Sequence, residues 1–338
     1  MATVYKAFLN DDVVSTRSLL HEAIPVTGSL IYGSYSEENI KNYSHGRFQS
    51  VYDYPYLSSS ANHLMDITVG YAADSGLSSS LSTEHSQKVQ MYNQMSQMLV
   101  GHDTTGSILK FDEDGDIVAG GDKMNECFFF SFSRLLVKDE IKKGSVQMVL
   151  GDGNYTAPFA TTKTLRDFDA NVEYRTNSPA GEYGILYSGS AYGEGPCGLV
   201  YYQAGIMVLT SSIFADTTLY DSAGDDIDEA LSGSSIQDNC DTIRARIQDI
   251  DFNNTVELNS TIYFCRINHN EFNYSSNPTY LSQSQIRVKD QSLDSPVSYI
   301  STVGLYSSTN ELLAVAKLSE PLKKTPENEL ILRVRLDY

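Results

Sequence analysis

The sharpest pattern in the chain lies in residues 330–338, where apolar and polar positions alternate. Leu330, Leu332, Val334, Leu336 and Tyr338 fall on one side, and Ile331, Arg333, Arg335 and Asp337 on the other. Period two is the signature of a strand with one dry face and one wet face. Two more apolar runs precede it, residues 301–306 and 311–318, flanking the polar turn Ser307-Ser308-Thr309-Asn310, whose Asn310 tolerates positive φ. A second polar gap, residues 323–329, leads into the last run. The pattern predicts a three-stranded antiparallel meander over residues 297–338.

Helical spacing is clearest over residues 83–100, where Val89, Tyr92, Met95, Leu99 and partly Met98 make an apolar stripe, with Ser82 to cap it and Gly101 to end it. Residues 13–24 follow Asn10-Asp11-Asp12, a good N-cap cluster, and put Val13, Leu19 or Leu20 and Ala23 on one side before Pro25 and Gly28, which predicts a second helix. A third, residues 235–250, carries Ile236, Cys240, Ile243 and Ile247.

The remaining apolar runs read as strands. Residues 4–9 read as a short one, and residues 27–49 as extended loop. Residues 51–57 set three tyrosines at period two, an aromatic strand packed inside a subunit. Two hairpins are expected, 108–111 with 116–119 around Asp112-Glu113-Asp114-Gly115, and 146–150 with 155–159 around Gly151-Asp152-Gly153-Asn154. Residues 127–137 are dense enough to be interior. Residues 183–188, 199–214 and 256–267 supply further strands, with a Gly-rich loop at 189–198. Residues 221–239 concentrate Asp, Ser and Gly and read as a solvated linker or a mobile loop. The expected fold is mainly β with a few helices (α+β), built of antiparallel sheets. The expected regions are a mixed α/β segment 1–103, a central β-rich region 104–220 and a C-terminal β module 221–338.

Length and charge narrow the possibilities. A chain of 338 residues can bury a large core. The formal net charge of −19 argues against gripping a phosphate backbone, which takes clustered Lys and Arg. Tyr is abundant at 23 and Trp absent, a mix expected of loop-rich structural proteins. No secretory leader is visible in MATVYKAFLNDD, and no apolar run approaches membrane-spanning length. Cys127, Cys197, Cys240 and Cys265 are scattered and are expected to be buried or half-buried thiols in a reducing compartment.

Candidate chemistry is sparse. The six histidines never stand at metalloprotease spacing, and no Gly-x-Ser-x-Gly elbow occurs. Residues 101–107 have a superficial phosphate-loop look but lack the lysine and follow a helix. Asp112, Asp114 and Asp116 open like a calcium loop, yet the sixth position is Ile117 and the twelfth Lys123, so a solvated turn is expected. His269 and Glu271, in Asn268-His269-Asn270-Glu271, have the types for proton transfer, but such clusters more often fix a tight corner. The sequence assigns no catalytic residue, no cofactor and no metal.

One stretch carries a resemblance. VGLYSSTNELLAVAKLSEPLKKT, from Val303, followed by ELILRVRLDY resembles, with its matching stretch at residues 304–338, a segment of virion structural proteins of large contractile-tailed bacteriophages. A similar pattern occurs in domains that join tail fibres to the baseplate. RLLVKDEIKKG (134–144), LNSTIYFCRINHNEFNYSSNPTY (258–280) and residues 20–67, with YDYPYLSSSANHLMDI, extend it. The resemblance implies a non-enzymatic virion part, in the tail at or near the baseplate or fibre attachment. Its partners would be other virion proteins and copies of itself, with no nucleic acid and no membrane. It would reside in the virion, and in the host cytoplasm during assembly. A neck, collar or head-surface protein is the alternative within that class; a glycan-binding or depolymerising tail protein is the alternative outside it.

Overall fold

A computed structural model describes residues 5–27, 37–78, 83–117, 121, 123–156, 159–189, 191, 193, 195–214, 219–275, 281–282, 285–286 and 293–338. In chain order the described strands are β1 (Val13–Pro25), β2 (Ile40–Asn42), β3 (Gln49–Tyr52), β4 (His63–Tyr71), β5 (Phe111–Asp112), β6 (Lys123–Met124), β7 (Glu126–Phe132), β8 (Glu140–Ile141), β9 (Gln147–Asp152) and β10 (Thr161–Arg166). There follow β11 (Arg175–Ser178), β12 (Gly181–Tyr187), β13 (Pro196–Tyr201), β14 (Ile206–Thr210), β15 (Ile247–Ile267), β16 (Leu281–Ser282), β17 (Gln285–Ile286), β18 (Ser298–Tyr306), β19 (Leu312–Lys324) and β20 (Leu330–Asp337). The helices are α1 (Thr83–Leu99), α2 (Arg134–Val137), α3 (Ile227–Gly233) and α4 (Ile236–Arg246). The protein is therefore mainly β with large antiparallel sheets and a few helices, as the patterning predicts. Among the described residues no helix is long and apolar enough to cross a membrane.

The chain divides into two compact units, Leu19–Val256 and the pair Met1–Ser18 with Glu257–Tyr338. We call the first the body and the second the joined-ends unit. The division differs from the expected regions 1–103, 104–220 and 221–338 because β1 and β15, far apart in sequence, are neighbouring strands.

In the body, β15, β9, β10, β12, β13, β14, β7, β4, β3 and β2 lie side by side in that order. Strand alternation divides the side chains between two apolar clusters. Phe128, Phe130, Val200, Met207 and Leu209 enter one; Phe129, Tyr183, Tyr201, Ile206 and Val208 enter the other. With both faces covered, the 127–130 run is buried at every position, as its unbroken apolarity implies. The first cluster is closed by Leu231 of α3 and Ile236, Cys240 and Ile243 of α4, the second by Tyr92 and Leu99 of α1. Helix α1 lies so close to β4 that a β-carbon on Gly70 would sit 2.6 Å from the Lys88 carbonyl and 2.7 Å from the Tyr92 nitrogen.

Several local expectations change. Residues 13–25 are strand, not helix: the Asn10–Asp12 cluster makes a 3-10 turn, with Leu9 N–H on the Asp12 carboxylate at 3.1 Å, and then the chain extends. Val13, Val14 and Thr16 are β-branched and stiff at χ1, which favours the strand once β15 offers a backbone partner. Strand β3 stops at Tyr52, and Tyr54 and Tyr56 beyond it are exposed, so the aromatic run is not an interior strand. Pro55, with no N–H for a ladder, suits a turn there.

The 221–239 stretch is no linker. Asp221 accepts backbone N–H from Ala223, Gly224 and Asp225, Asp226 caps α3, and Ile227, Ala230 and Leu231 are buried. The second hairpin forms, but β9 pairs with 161–166 in place of 155–159. Phe111–Asp112 pairs with Lys123–Met124, whereas the return strand expected at 116–119 falls partly outside the described residues. Helix α4 keeps its predicted face, with Ser235 and Asp238 forming a capping box, and ends at Arg246. Helix α1 forms as read; its predicted cap Ser82 lies outside the described residues, Met98 is exposed, and Lys88 is buried instead.

In the joined-ends unit, the distal part of β15 pairs antiparallel with β20, from Ser260 opposite Asp337 to Ile267 opposite Leu330. The start of β1 lies along it, with Ser15 and Thr261 hydroxyls 3.1 Å apart. The closing strands form a meander-like set: β18 and β19 make the hairpin around 307–311, with Asn310 at φ 66°, and β20 follows. Val334 of the predicted dry face is buried, while Ile331, Arg333, Arg335 and Asp337 are exposed.

Candidate functional site

The joined-ends unit is unusual in what it leaves uncovered. It contains 100 of the 338 residues; among the described residues it holds 16 of the 26 exposed large apolar side chains and, of the buried apolar ones, Ile267, Leu305 and Val334. Neither apolar cluster includes any of its residues. On β19, Leu312, Leu313 and Val315 are exposed in succession, and Tyr299 and Tyr306 of β18 and Ile331 of β20 are exposed too. Scattered exposed apolar residues are ordinary on a protein surface; here they are concentrated in one unit.

Polar anchors hold this unit in shape. The Lys324 ammonium, fully buried, donates to the His269 carbonyl (3.1 Å), Asn273 Oδ1 (2.7 Å) and the Thr325 carbonyl (2.7 Å), which ties the foot of the β18–β19 hairpin to the 268–273 turn. Ser298 Oγ donates to the Phe272 carbonyl beside it. Asp12 pairs with Arg266 and Glu271 with Lys6, and each lysine or arginine lowers the pKa of its carboxyl. Rings meet at Tyr5–Tyr306, 4.7 Å between centroids, and Phe8–Tyr263, 5.4 Å.

His269 and Glu271 are drawn to different partners. His269 Nδ1 lies 3.3 Å from Glu329 Oε1, and Glu271 takes Lys6 and the Asn268 N–H. The cluster fixes a corner, as its residue types suggest.

Asp112, Asp114 and Asp116 do converge, each offering a carboxylate oxygen within 4.8 Å of the others. Lys123, which stands where a calcium loop would supply its last carboxylate, is ion-paired with the buried Asp112. Burial raises the Asp112 pKa against the pull of Lys123, while the Asp116 N–H lowers that of Asp114. Ile117 adopts φ 60°, a left-handed conformation that β-branched residues rarely take.

Three buried ionisable groups in the body escaped the sequence reading. Arg246, the last residue of α4, is fully buried among the carbonyls of Gly151 (3.1 Å), Gly153 (3.0 Å), Leu219 (3.2 Å) and Tyr220 (2.8 Å), between the rings of Phe159, Phe214 and Tyr220 at 4.9 to 5.0 Å. The guanidinium thus joins the β9 turn to the segment before α3 through five donors and three π faces. Lys88 of α1 donates to the Leu231 carbonyl (2.6 Å) and the Ser234 carbonyl at the end of α3, where a cation suits the helix dipole, and burial brings its pKa down to about 8. Asp167 accepts Gly144 N–H (2.7 Å), Val146 N–H (2.9 Å) and the Tyr202 hydroxyl (3.0 Å), and burial nevertheless pushes its pKa up to about 7. All three bond to the protein itself and act as internal ties.

The four cysteines are free thiols, three buried and Cys265 half-buried, and burial pushes their pKa values up, Cys197 to about 12. Compared with family models, with curated proteins and with solved structures, the chain matches none.

Proposed function

We propose that this chain is a structural component of a tailed-phage virion, in the tail at or near the baseplate or fibre attachment, acting by protein–protein assembly. One observation carries the reading: among the described residues the joined-ends unit exposes many large apolar side chains and contributes to neither buried apolar cluster. A surface of that kind gains free energy when a partner covers it. The residues that display it, Leu312, Leu313, Val315 and Ile331, fall within the stretch that resembles virion proteins. The chain contributes contact area and shape, with other virion proteins and further copies as partners.

The test uses an antibody raised against the chain. It should detect the protein in purified particles of the phage that encodes it, with immunogold label at the distal end of the tail. Label at the neck or head would move the assignment within the virion, and absence from particles would remove it. Reproducible turnover of a polysaccharide by the purified chain would replace the reading with an enzymatic one.

A further inference from the structure

Charge is divided between the two units as unevenly as exposed apolar surface. The body carries 14 basic and 32 acidic side chains, a formal −18; the joined-ends unit carries 10 and 11, a formal −1. Two copies approaching through their bodies repel each other, because surface charges of one sign act over roughly a Debye length of 8–10 Å in physiological salt. Two copies approaching through the joined-ends units meet almost no net field. Both signs are interspersed there: Arg333, Arg335 and Asp337 share the outer face of β20, and Glu311, Lys317, Glu320 and Lys323 lie along the hairpin. A strongly acidic or basic partner finds no net attraction on such a surface, whereas a rotated copy can set opposite signs against each other.

Area points the same way. Sixteen large apolar residues at 36% to 95% exposure leave on the order of 1,500 Å² of side-chain surface to solvent. A stable interface buries about 800 Å² on each partner, so about half of these side chains on one side would supply a single interface.

We infer that the joined-ends unit is a self-association surface, and that its occupant is the same unit of a second copy of this chain, seated against Leu312, Leu313 and Val315 of β19 and Ile331 of β20. The inference rests on the reading of the chain as an assembly part and names the partner at that same surface. The missing apolar cluster of the unit is then completed between chains, as in obligate oligomers whose protomers share a core.

Sedimentation velocity of the purified full chain tests it, with two variants. Wild type should sediment as an oligomer at micromolar concentration. Leu313→Glu with Val315→Glu, and separately Ile331→Arg, should weaken association by about tenfold or more, with the circular dichroism spectrum unchanged. Because the body charges oppose approach, association should strengthen as salt rises from low to moderate concentration, the reverse of an interface held by ion pairs. A wild-type chain that stays monomeric up to about 100 μM, well above the micromolar Kd expected of a specific interface, would overturn the inference, as would an oligomer that both variants leave intact. An oligomer broken by the variants but missing from phage particles would support the surface and refute the virion reading. A monomer that enters particles would do the opposite.

Discussion

At the scale of single residues, the body is tied together by buried charges that bond to backbone. Arg246 is the clearest, since among the described residues its hydrogen-bond acceptors are all backbone carbonyls and its charge also meets ring faces. Arg246→Lys keeps the charge but loses the planar fork, leaving several carbonyls unmet, and should cost about 2–4 kcal/mol. Urea unfolding checks this, and a loss under about 0.5 kcal/mol, the size of a neutral surface change, would refute the tie.

Asp167 gives a pH signature. Unfolded, its carboxyl gives up its proton near the ordinary value of 3.8; folded, it keeps it to about 7. Between those values the folded chain binds the extra proton, so stability falls as pH rises through that window, and the loss is complete above it. Three units correspond to at most roughly 4 kcal/mol. Denaturation midpoints of wild type and Asp167→Asn at pH 5 and pH 8 should show the variant losing less of its stability. Parallel pH dependence would place the titration elsewhere.

None of these three residues was legible in the sequence. A lone Arg, Lys or Asp in a polar-looking window carries no sign of burial, because the partners come from segments distant in the chain: Gly151 for Arg246, Leu231 for Lys88, Tyr202 for Asp167. Only Lys88 carried a hint, since it stands four residues before Tyr92 and so on the same side of α1.

At the scale of elements, pattern succeeded where periodicity and local chemistry agreed. Helix α4 showed three of its four expected apolar residues, Ile236, Cys240 and Ile243, while Ile247 opens β15, and β20 showed its alternation. Residues 13–25 misled because Asn10-Asp11-Asp12 serves a helix or a turn equally well and the apolar spacing was sparse; long-range pairing with β15 decided. The 221–239 stretch misled because its acidic residues, which composition assigns to solvated linkers, cap and turn the backbone while Ile227 and Leu231 reach the core.

The contact between α1 and β4 supplies a prediction at this scale. Gly70→Ala would drive a methyl group into helix backbone that cannot swing aside as a side chain could. It should cost about 1–3 kcal/mol by pushing α1 off the sheet. Gly76→Ala, which meets nothing within 4 Å, serves as the control, and equal melting temperatures would refute the close approach.

For the whole molecule, the two units differ in what stabilises them, and protease should show it. Trypsin acting on the unassociated chain should cut first at exposed sites in the joined-ends unit, such as Lys317, Lys323, Arg333 or Arg335, and leave residues 19–256 intact. Early nicks at Lys163 or Arg166 of β10 would contradict the division. The fold class could be read from the sequence because alternation and turn residues recur along its length. The division could not, since it depends on β1 finding β15.

That long-range pairing also sets an order of events on the ribosome. Ser15 must wait for Thr261, 246 residues later, which at usual elongation rates is about 10–50 s of synthesis. Nascent polypeptides halted before residue 257 lack the strand against which residues 13–18 would lie, so those residues should remain open to protease on stalled ribosomes. If copies associate through the joined-ends unit, chains halted before residue 257 lack the surface through which longer ones would meet.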